Sequence, residues 1–198
     1  RWRQTGGPAE VAVNVAVQEL LDPAFVPRLR EVLRDSGLPA EALVLEVTES
    51  SFAEDATQVL RSLEQARELG VRVAVDDFGT GYSSLSRLRR IPADILKVDR
   101  SFVQDLAVDP GALPIVRVIL ALAAALGLRV IAEGVEEPHQ ARLLADLGCE
   151  YAQGFLYGRP VPPEQVPGGV APGVPAPRAS ADAPAGGGDR TRAGGPAG

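Results

Sequence analysis

Short apolar runs alternate along the chain with longer stretches in which apolar residues recur at helical spacing. Each short run is bounded by polar residues or by a turn containing glycine, which is typical of strands buried on both faces of a parallel sheet. Between the runs, apolar residues fall three and four positions apart, as Phe25, Leu29, Val32 and Leu33 do. This spacing predicts amphipathic helices. The predicted strands cover residues 11–15, 43–48, 71–75, 94–98, 128–132 and 150–154.

The helices predicted between these strands have recognisable ends. Pro23 stands in the first turn of the first helix, and Gly37 and Gly70 follow the first and second helices, where proline and glycine are favoured. Strand and helix alternate with short connections, which indicates βα units and a parallel sheet with right-handed crossovers. The predicted helices cover residues 23–36, 55–69, 83–90, 110–126 and 138–147.

Every predicted strand has polar side chains at or near its carboxyl end. An open doubly wound sheet gathers its ligand at one switch point, from a few strands. A barrel collects residues from nearly every strand at its carboxyl face. The pattern therefore favours an α/β fold of the (β/α)8 TIM-type barrel kind, incomplete here with about six parallel strands. The strand-end residues are Asn14, Glu46, Asp76 with Asp77, Lys97 with Asp99, Glu133 and Gln153.

Residues 167–198 differ in composition from the rest of the chain. Of these 32 residues, 23 are Gly, Pro or Ala, and large apolar side chains are almost absent. Such a segment buries too little surface to offset the entropy that ordering removes. We therefore predict a partial barrel domain over residues 1–166 and a disordered Gly/Pro/Ala-rich tail over residues 167–198.

Charge and composition limit the ligands that the chain can hold. The formal net charge of −6 argues against a basic groove for a nucleic-acid polymer, but it allows a small phosphorylated ligand held by metal ions. The chain has one cysteine, Cys149, and one histidine, His139, so a metal site must use mainly oxygen ligands, which suit magnesium, manganese or calcium. No apolar run approaches about 18 residues, and no signal peptide is evident. We expect a cytoplasmic chain, or the cytoplasmic part of a membrane-anchored protein.

Two adjacent carboxylates, Asp76 and Asp77, directly follow the short apolar run at residues 71–75. Neighbouring residues at a strand end point to opposite faces, so these two can share a site only if the backbone turns there. Gly79 and Gly81 permit such a turn. The two anions repel each other unless a cation or a proton lies between them. A solvated loop with a helix N-cap is the alternative interpretation of this segment.

The strand-end residues together form a set of oxygen donors with one neutral and four anionic members. Two divalent cations about 4 Å apart would neutralise these anions, activate a bridging water and bind a phosphate oxygen. Lys97, the one lysine in the chain, could orient that water or neutralise charge that develops in the transition state. The donors are Asn14, Glu46, Asp76, Asp77 and Glu133.

Six motifs follow one another along the chain: VNV at 13–15, LEVTES at 45–50, DDFGTG at 76–81, LKVD at 96–99, AEGVE at 132–136, and QGF at 153–155 with GRP at 158–160. In this order they resemble the motifs of the EAL family, whose members are bacterial phosphodiesterases that hydrolyse cyclic di-GMP to linear pGpG. The resemblance runs from about residue 2 to residue 166. It implies a two-metal site with Mg²⁺ or Mn²⁺, held by the five donors named above, with Lys97, Asp76 and Glu133 as catalytic residues and Lys97 holding the hydrolytic water.

The resemblance also implies roles around this centre. Asp99 would support the site from close by, and Glu136 and Gln153 would line the pocket near metal or substrate. Glu49 would anchor the loop at residues 78–84, which in this family helps to close the metal site and takes part in dimer contacts. The implied partners are cyclic di-GMP, a second copy bound through the barrel, and an upstream sensor or GGDEF-type domain.

The chain departs from the family at the motif that gives the family its name. In the family, Glu-Ala-Leu lies on a strand before the Asn-bearing strand and its glutamate is a metal ligand. Here Glu41-Ala42-Leu43 follows Asn14, and we interpret it as a coincidence. We therefore expect that the opening of the family domain is absent, that two sheet edges are exposed, and that this chain alone is weakly stable and inactive.

Two other functions remain open. A catalytically inactive EAL-like domain would bind cyclic di-GMP or a protein partner. An unrelated barrel enzyme could use Lys97 as a Schiff base, which requires a desolvated pocket that lowers the lysine pKa. The nearby aspartates would raise that pKa instead, which argues against the second alternative.

Overall fold

The sheet has six parallel strands arranged in chain order, β1 to β6. The computed structural model describes residues 10–52, 56–80, 88–107, 109–162 and 165–166, and the tail predicted at 167–198 lies outside them. A sequential all-parallel sheet is the arrangement of a (β/α) barrel, so the predicted class with about six strands is confirmed. The strands are β1 Val11–Asn14, β2 Leu43–Thr48, β3 Arg72–Phe78, β4 Ile95–Val98, β5 Arg129–Ala132 and β6 Tyr151–Ala152.

Helices connect the strands, and four of them were predicted to within three residues at each end. Gly37 and Gly127 end two of these helices in the left-handed conformation. The helix predicted at 83–90 falls mostly on residues 81–87, which are not described. Two five-residue helices were not predicted, and neither is long enough to show helical periodicity. The helices are α1 Val17–Leu21, α2 Phe25–Ser36, α3 Ala56–Glu68, α4 Arg100–Gln104, α5 Ala112–Leu126 and α6 Pro138–Asp146, with 3-10 turns at Ala40–Ala42, Glu49–Phe52 and Asp105–Ala107.

The two faces of the sheet differ in what they bury. The outer face packs against the helices in a large apolar cluster that includes Val47, Val75 and Leu96, each fully buried. The inner face carries a small cluster made of Val44, Ala74 and Ile95, with Ile131 packed against it. Side chains two residues apart on a strand share a face. The residues two positions after Val44, Ala74, Ile95 and Ile131 therefore also point inward, and all four of them are polar. These next positions are Glu46, Asp76, Lys97 and Glu133.

Strand β3 corrects the sequence prediction. We expected it to end at residue 75, before a turn made by Gly79 and Gly81, but it continues to Phe78. Its register against β4 shifts between Val75 and Phe78, as in a β-bulge that inserts an extra residue. Asp77 itself has a positive φ of 53°. The backbone change that brings the two aspartates together therefore lies within the strand, at Asp77.

The edges of the sheet are less covered than its centre. Within the described residues, β1 pairs only with β2 and β6 pairs only with β5. Val13 in β1 is 45% exposed and Tyr151 in β6 is 43% exposed. Among the same residues, no helix is both long and apolar enough to span a membrane.

Candidate metal centre

A cluster of three carboxylates lies at the carboxyl ends of β3 and β5. Asp76, Asp77 and Glu133 each contribute an oxygen, and these oxygens lie within 4.8 Å of one another. It is the one such group of possible metal ligands in the part of the chain that the structure describes. Aspartate and glutamate oxygens are hard ligands that suit Mg²⁺, Mn²⁺ or Ca²⁺, so the donor set fits a divalent cation of this type.

Lys97 lies beneath the cluster and joins it to β2. Its Nζ is 2.7 Å from Glu133 Oε1, 2.9 Å from Glu46 Oε1 and 3.1 Å from Asp76 Oδ1. The lysine is 3% exposed. Burial acts to lower the pKa of Lys97, but hydrogen bonds to Glu133 and Glu46 and the charges of these residues outweigh it, so its pKa is raised. The side chain is therefore an ammonium at neutral pH.

Two carboxyl groups of the cluster, Glu133 and Asp77, have raised pKa values. Burial raises the pKa of Glu133, and the charges of Asp76 and Glu46 add to this effect, while Lys97 opposes it. Burial also raises the pKa of Asp77, with further contributions from Asp76 and Asp99. A group of acids whose pKa values are raised by each other's charge is one that a cation would stabilise in the ionised form.

Hydrogen bonds fix the main chain around Asp77. The Asp77 N–H donates to Asp76 Oδ1 at 3.0 Å, and the Asp77 carbonyl accepts from Thr80 Oγ1 at 2.9 Å. The Gly79 N–H donates to Glu49 Oε2 at 3.0 Å. Glu49 is 5% exposed, so a buried carboxylate holds the residue that follows β3. Its role as a loop anchor stays a prediction, because residues 81–87 are not described.

Asp99 begins the short helix that follows β4. Its Oδ1 accepts from the Ser101 N–H at 2.9 Å and from Ser101 Oγ at 2.5 Å. Burial acts to raise the pKa of Asp99, but the hydrogen bonds from Ser101 and Arg100 and the Arg100 charge outweigh it and lower the pKa. Asp99 therefore remains an anion close to Asp77, whose pKa it raises.

A cavity of about 560 Å³ opens beside the cluster. Gly134, Gly154 and Thr80 form part of its wall, and Phe155 lies at its edge with 47% of its surface exposed. The Arg159 guanidinium lies 4.5 Å from the centre of the Phe155 ring. Five of the predicted site residues line the same cavity: Asp77, Asp99, Glu133, Glu136 and Gln153.

The structure thus brings most of the predicted residues into two touching groups. Glu46, Asp76 and Glu133 contact Lys97, and the remaining pocket residues surround the cavity. Asn14 is placed differently: the register puts it opposite Glu46 on β1, and its side chain is exposed at the sheet edge. The raised pKa of Lys97 is the reverse of what a Schiff-base lysine needs, which argues against that alternative.

Sequence reasoning missed Arg100 and Gln140. Arg100 lines the cavity and follows directly after Asp99. Gln140 is 5% exposed, and its Oε1 accepts from the N–H groups of Glu136 and Glu137 at 2.9 and 3.0 Å. This is a capping box at the start of α6. A capping residue three positions before a glutamine is a recognisable sequence signal. The capping role of Gln140 could therefore have been predicted from the sequence.

A parallel barrel sheet with a carboxylate cluster and a buried lysine at the carboxyl ends of its strands defines a class of barrel proteins suited to binding divalent cations there. Comparison with known sequences narrows this class. The profile of the EAL domain matches residues 1–160. The chain belongs to the EAL domain family.

Two relatives from Pseudomonas aeruginosa show the extent of the match. Cyclic di-GMP phosphodiesterase NbdA is 47% identical over 152 residues, which cover 77% of this chain and 19% of NbdA. The bifunctional diguanylate cyclase/cyclic di-GMP phosphodiesterase MucR is 45% identical over 168 residues, which cover 84% of this chain and 24% of MucR. The chain therefore spans about a fifth to a quarter of the length of these curated relatives.

Solved structures agree with the fold. The PaMucR phosphodiesterase in complex with cyclic di-GMP has a TM-score of 0.75 at 46% identity, covering 79% of this chain and 63% of that chain. The manganese/cyclic di-GMP complex of Klebsiella pneumoniae BlrP1 has a TM-score of 0.74 at 33% identity, covering 80% of this chain and 40% of that chain. The match to EAL-domain structures confirms the predicted TIM-type architecture.

Proposed function

We propose that this chain carries a metal-dependent phosphodiesterase site and that its reaction is the hydrolysis of cyclic di-GMP to linear pGpG. The observation that carries the proposal is the Lys97 ammonium, which lies within 3.1 Å of carboxylates from β2, β3 and the end of β5, next to an open cavity. The names of NbdA and MucR, and the ligand of the PaMucR structure, support cyclic di-GMP as the substrate.

Two Mg²⁺ or Mn²⁺ ions would be held by carboxylate and amide oxygens of the strand ends. When bound, the ions activate a water molecule and polarise a phosphate oxygen of the substrate. The manganese in the BlrP1 complex supports an ion of this type. The residues that would hold the ions are Asn14, Glu46, Asp76, Asp77 and Glu133.

Lys97 acts as a fixed positive charge in this proposal. Because its pKa is raised, it keeps its proton at neutral pH and cannot serve as a base. Its positive charge attracts and orients the attacking water, and it neutralises charge that develops on the phosphate. Asp76 and Glu133 contact Nζ directly, so they hold this ammonium in place and are the nearest acceptors for the proton of the water.

In the reaction, the water oxygen bonds to phosphorus as the water gives a proton to Asp76 or Glu133, one P–O bond of the phosphodiester breaks, and the leaving oxygen takes up that proton and becomes a hydroxyl. Glu136 and Gln153, which line the cavity, are proposed to contact the substrate or the ions. Asp99 supports the site by holding the start of α4 and by placing an anion beside Asp77. Glu49 anchors the loop at residues 78–84 through the Gly79 N–H.

A second candidate function is binding of cyclic di-GMP or of a protein partner without catalysis. The exposed position of Asn14 on the edge strand favours this second function. A metal-binding side chain that neighbouring residues support on one side only is poorly oriented and binds a cation weakly. For the same reason we infer that the isolated chain has little or no activity. Homodimerisation through the barrel, an upstream sensor or GGDEF-type domain and a cytoplasmic location stay predictions; the diguanylate cyclase in the name of MucR supports the second of these.

The test is turnover of cyclic di-GMP by two proteins, with Mn²⁺, Mg²⁺ or EDTA. One protein is this chain, and the other is a chimera that adds the part of the NbdA EAL domain preceding the matched residues. We expect the chimera to form pGpG with metal, and its Lys97→Met variant to lose turnover while its far-ultraviolet circular dichroism is retained. A chimera that binds cyclic di-GMP without turnover supports the second candidate. A chimera that neither binds nor hydrolyses it contradicts the proposed reaction and leaves only the binding of a protein partner from the second candidate.

A further inference from the structure

Helix α4 lies between the two loops that carry the carboxylates of the candidate site. A β-carbon added to Gly134, next to Glu133, would overlap Cβ of Arg100 and lie 3.2 Å from its Cα. The Gln140 side chain, which caps α6, donates to the Val103 carbonyl at 3.4 Å. The loop after β5 therefore packs on α4 from one side.

The loop after β3 packs on the same helix through Phe102. A β-carbon added to Gly79 would lie 2.7 Å from Cε2 and 3.0 Å from Cζ of Phe102, and the first of these distances is shorter than real β-carbons adopt. The ring therefore lies directly against the main chain of Gly79. This glycine has a φ of 102°, which a residue with a side chain adopts only with strain.

The Gly79 peptide is fixed from two directions. The Phe102 ring packs on its Cα, and Glu49 Oε2 accepts its N–H at 3.0 Å. Gly79 follows Asp77 by two residues, and Asp77 has a left-handed backbone with a φ of 53°, which aspartate adopts more readily than most residues but which differs from an ordinary strand conformation. A chain fixed at Gly79 limits how far the Asp77 backbone can relax toward an ordinary strand conformation.

Phe102 is itself held firmly. It is partly buried and packs against both of the larger apolar clusters, the one on the outer face of the central strands and the one around α5 and α6. The Asp99 cap fixes the helix one turn before it. The apolar core therefore fixes the position of the Phe102 ring. The fixed ring in turn restricts the main chain of Gly79, which packs against it.

We propose that Phe102 is a positioning residue that acts through Gly79 to hold Asp77 in the carboxylate cluster. Its side chain is apolar and offers no ligand atom to the cluster, so its proposed effect is on geometry alone. The consequence for cation binding rests on the proposed function, but the packing of Gly79 on the ring does not. The two parts can therefore be tested separately on this chain.

The first test is hydrogen exchange of the Gly79 amide, followed by NMR. In Phe102→Ala we expect this amide to exchange at least about tenfold faster relative to the core amides of the same variant, because the ring no longer closes the hydrogen bond to Glu49. Phe102→Tyr, which keeps the ring, should restore slow exchange. Phe25→Leu is the control, since Phe25 lies in the apolar core on α2 and its loss lowers stability without touching Gly79.

The second test is Mn²⁺ binding, followed by the loss of the free-ion electron paramagnetic resonance signal. We expect affinity to fall about 10-fold to 100-fold in Phe102→Ala, the range found for residues that orient metal ligands, and to stay unchanged in Phe102→Tyr and Phe25→Leu. If the unaltered chain binds no Mn²⁺, the metal site fails, and Gly79 exchange still decides the role of Phe102.

A cross-check covers the case in which Phe102→Ala does not fold. Gly79→Ala should be destabilised by the close approach to the ring, and Phe102→Leu, which is smaller, should relieve part of that loss when the two changes are combined. Equal exchange of Gly79 in Phe102→Leu, Phe25→Leu and the unaltered chain, together with purely additive stabilities in the double variant, would overturn the proposal.

Discussion

The centre of the sheet and its edges are built to different standards. In β2, β3 and β4 the outward side chains Val47, Val75 and Leu96 are fully buried, and the inward side chains meet in a charge cluster around Lys97. In β1 three of the four residues are exposed, and β6 has only two residues. The central strands therefore carry a formed cluster of charged side chains. The edge strand β1 carries one predicted metal donor, Asn14, which is exposed.

This difference shows what a charged site needs from the fold around it. Lys97 can be 3% exposed because three strands supply carboxylates to it and an apolar cluster lies below them on the same face. A buried charge without such partners is strongly unfavourable. Asn14 has the register to join the group, since it lies opposite Glu46, but no strand beyond β1 covers it within the described residues.

The largest expected loss of stability is that of Lys97→Met, which removes the positive charge at the centre of the carboxylate cluster. Removing the ammonium leaves the partly buried carboxylates of Glu46, Asp76 and Glu133 without their cation, and we expect stability at pH 7 to fall toward the range of about 3–5 kcal/mol that breaking a fully buried ion pair costs. Urea denaturation, with Arg28→Met as a control that removes an exposed ion pair with Asp22, measures the change. A loss no larger than that of the control would show that the cluster does not depend on the lysine.

The loss in Lys97→Met should also depend on pH. An acid whose folded-state pKa is raised subtracts stability as the pH rises from its unfolded value through the folded one. Glu133 already has a raised pKa and loses its main opposing charge in the variant. The stability difference between variant and unaltered chain should therefore be greatest near neutral pH and shrink as the pH falls toward 4.5, the ordinary value for glutamate. A difference that grew on acidification would contradict this sign.

The next prediction compares the stability lost when an apolar side chain is shortened in a central strand and in an edge strand. Leu96→Ala removes a fully buried side chain from β4 and should lower stability by about 2–5 kcal/mol. Val13→Ala removes an exposed side chain from β1 and should change stability by no more than about 0.5 kcal/mol. Thermal and urea unfolding of both variants measure the contrast. Equal losses would mean that β1 is covered in solution, for example by a second copy of the chain.

Much of this arrangement could be read from the sequence, and the omissions have physical causes. The bounds of β2 were correct and those of β4 were within one residue, because apolar residues predominate in both of these buried parallel strands. Their polar ends gave the site residues directly. The extension of β3 to Phe78 could not be read, because the bulge depends on the backbone of Asp77 and its register against β4.

Contacts between distant segments were also out of reach. Helix α4 has five residues, fewer than two turns, so it has no apolar period to detect. The packing of Phe102 on Gly79 joins segments from different βα units, and the pairing of Gln140 with Val103 crosses 37 positions. Tertiary packing alone sets such contacts. The sequence therefore indicated which residues form the site better than it indicated what holds them.

A smaller effect concerns the other edge of the sheet, which a close backbone contact holds in place. A β-carbon at Gly154 would overlap the main-chain N and O of Val135, whereas one at Gly158 would meet nothing within 4 Å. Gly154→Ala should therefore lower stability by about 1–3 kcal/mol, as overpacking does, and Gly158→Ala should not. Urea denaturation of the pair, with hydrogen exchange of the Val135 amide that donates to Gln153, measures this. Similar results for both variants would show that the segment after β6 is loosely attached.

The smallest expected effect is electrostatic and sharpens the comparison within the centre. Asp99→Asn keeps a residue able to cap α4 but removes an anion that raises the pKa of Asp77, so the pKa of Asp77 should fall toward 3.8, its ordinary value. Stability at pH 7 should change by no more than about 0.5 kcal/mol. Two small changes oppose each other there. Asp99, whose own pKa is lowered, contributes stability above its unfolded pKa that the variant loses, while Asp77 becomes easier to ionise.

A ¹³C NMR titration of the Asp77 carboxyl measures the shift, with Asp105→Asn at the far end of α4 as the control. An Asp77 pKa that stays the same or rises would show that Asp99 is screened from the cluster, and the centre would then be built from Lys97 and its three carboxylate partners alone.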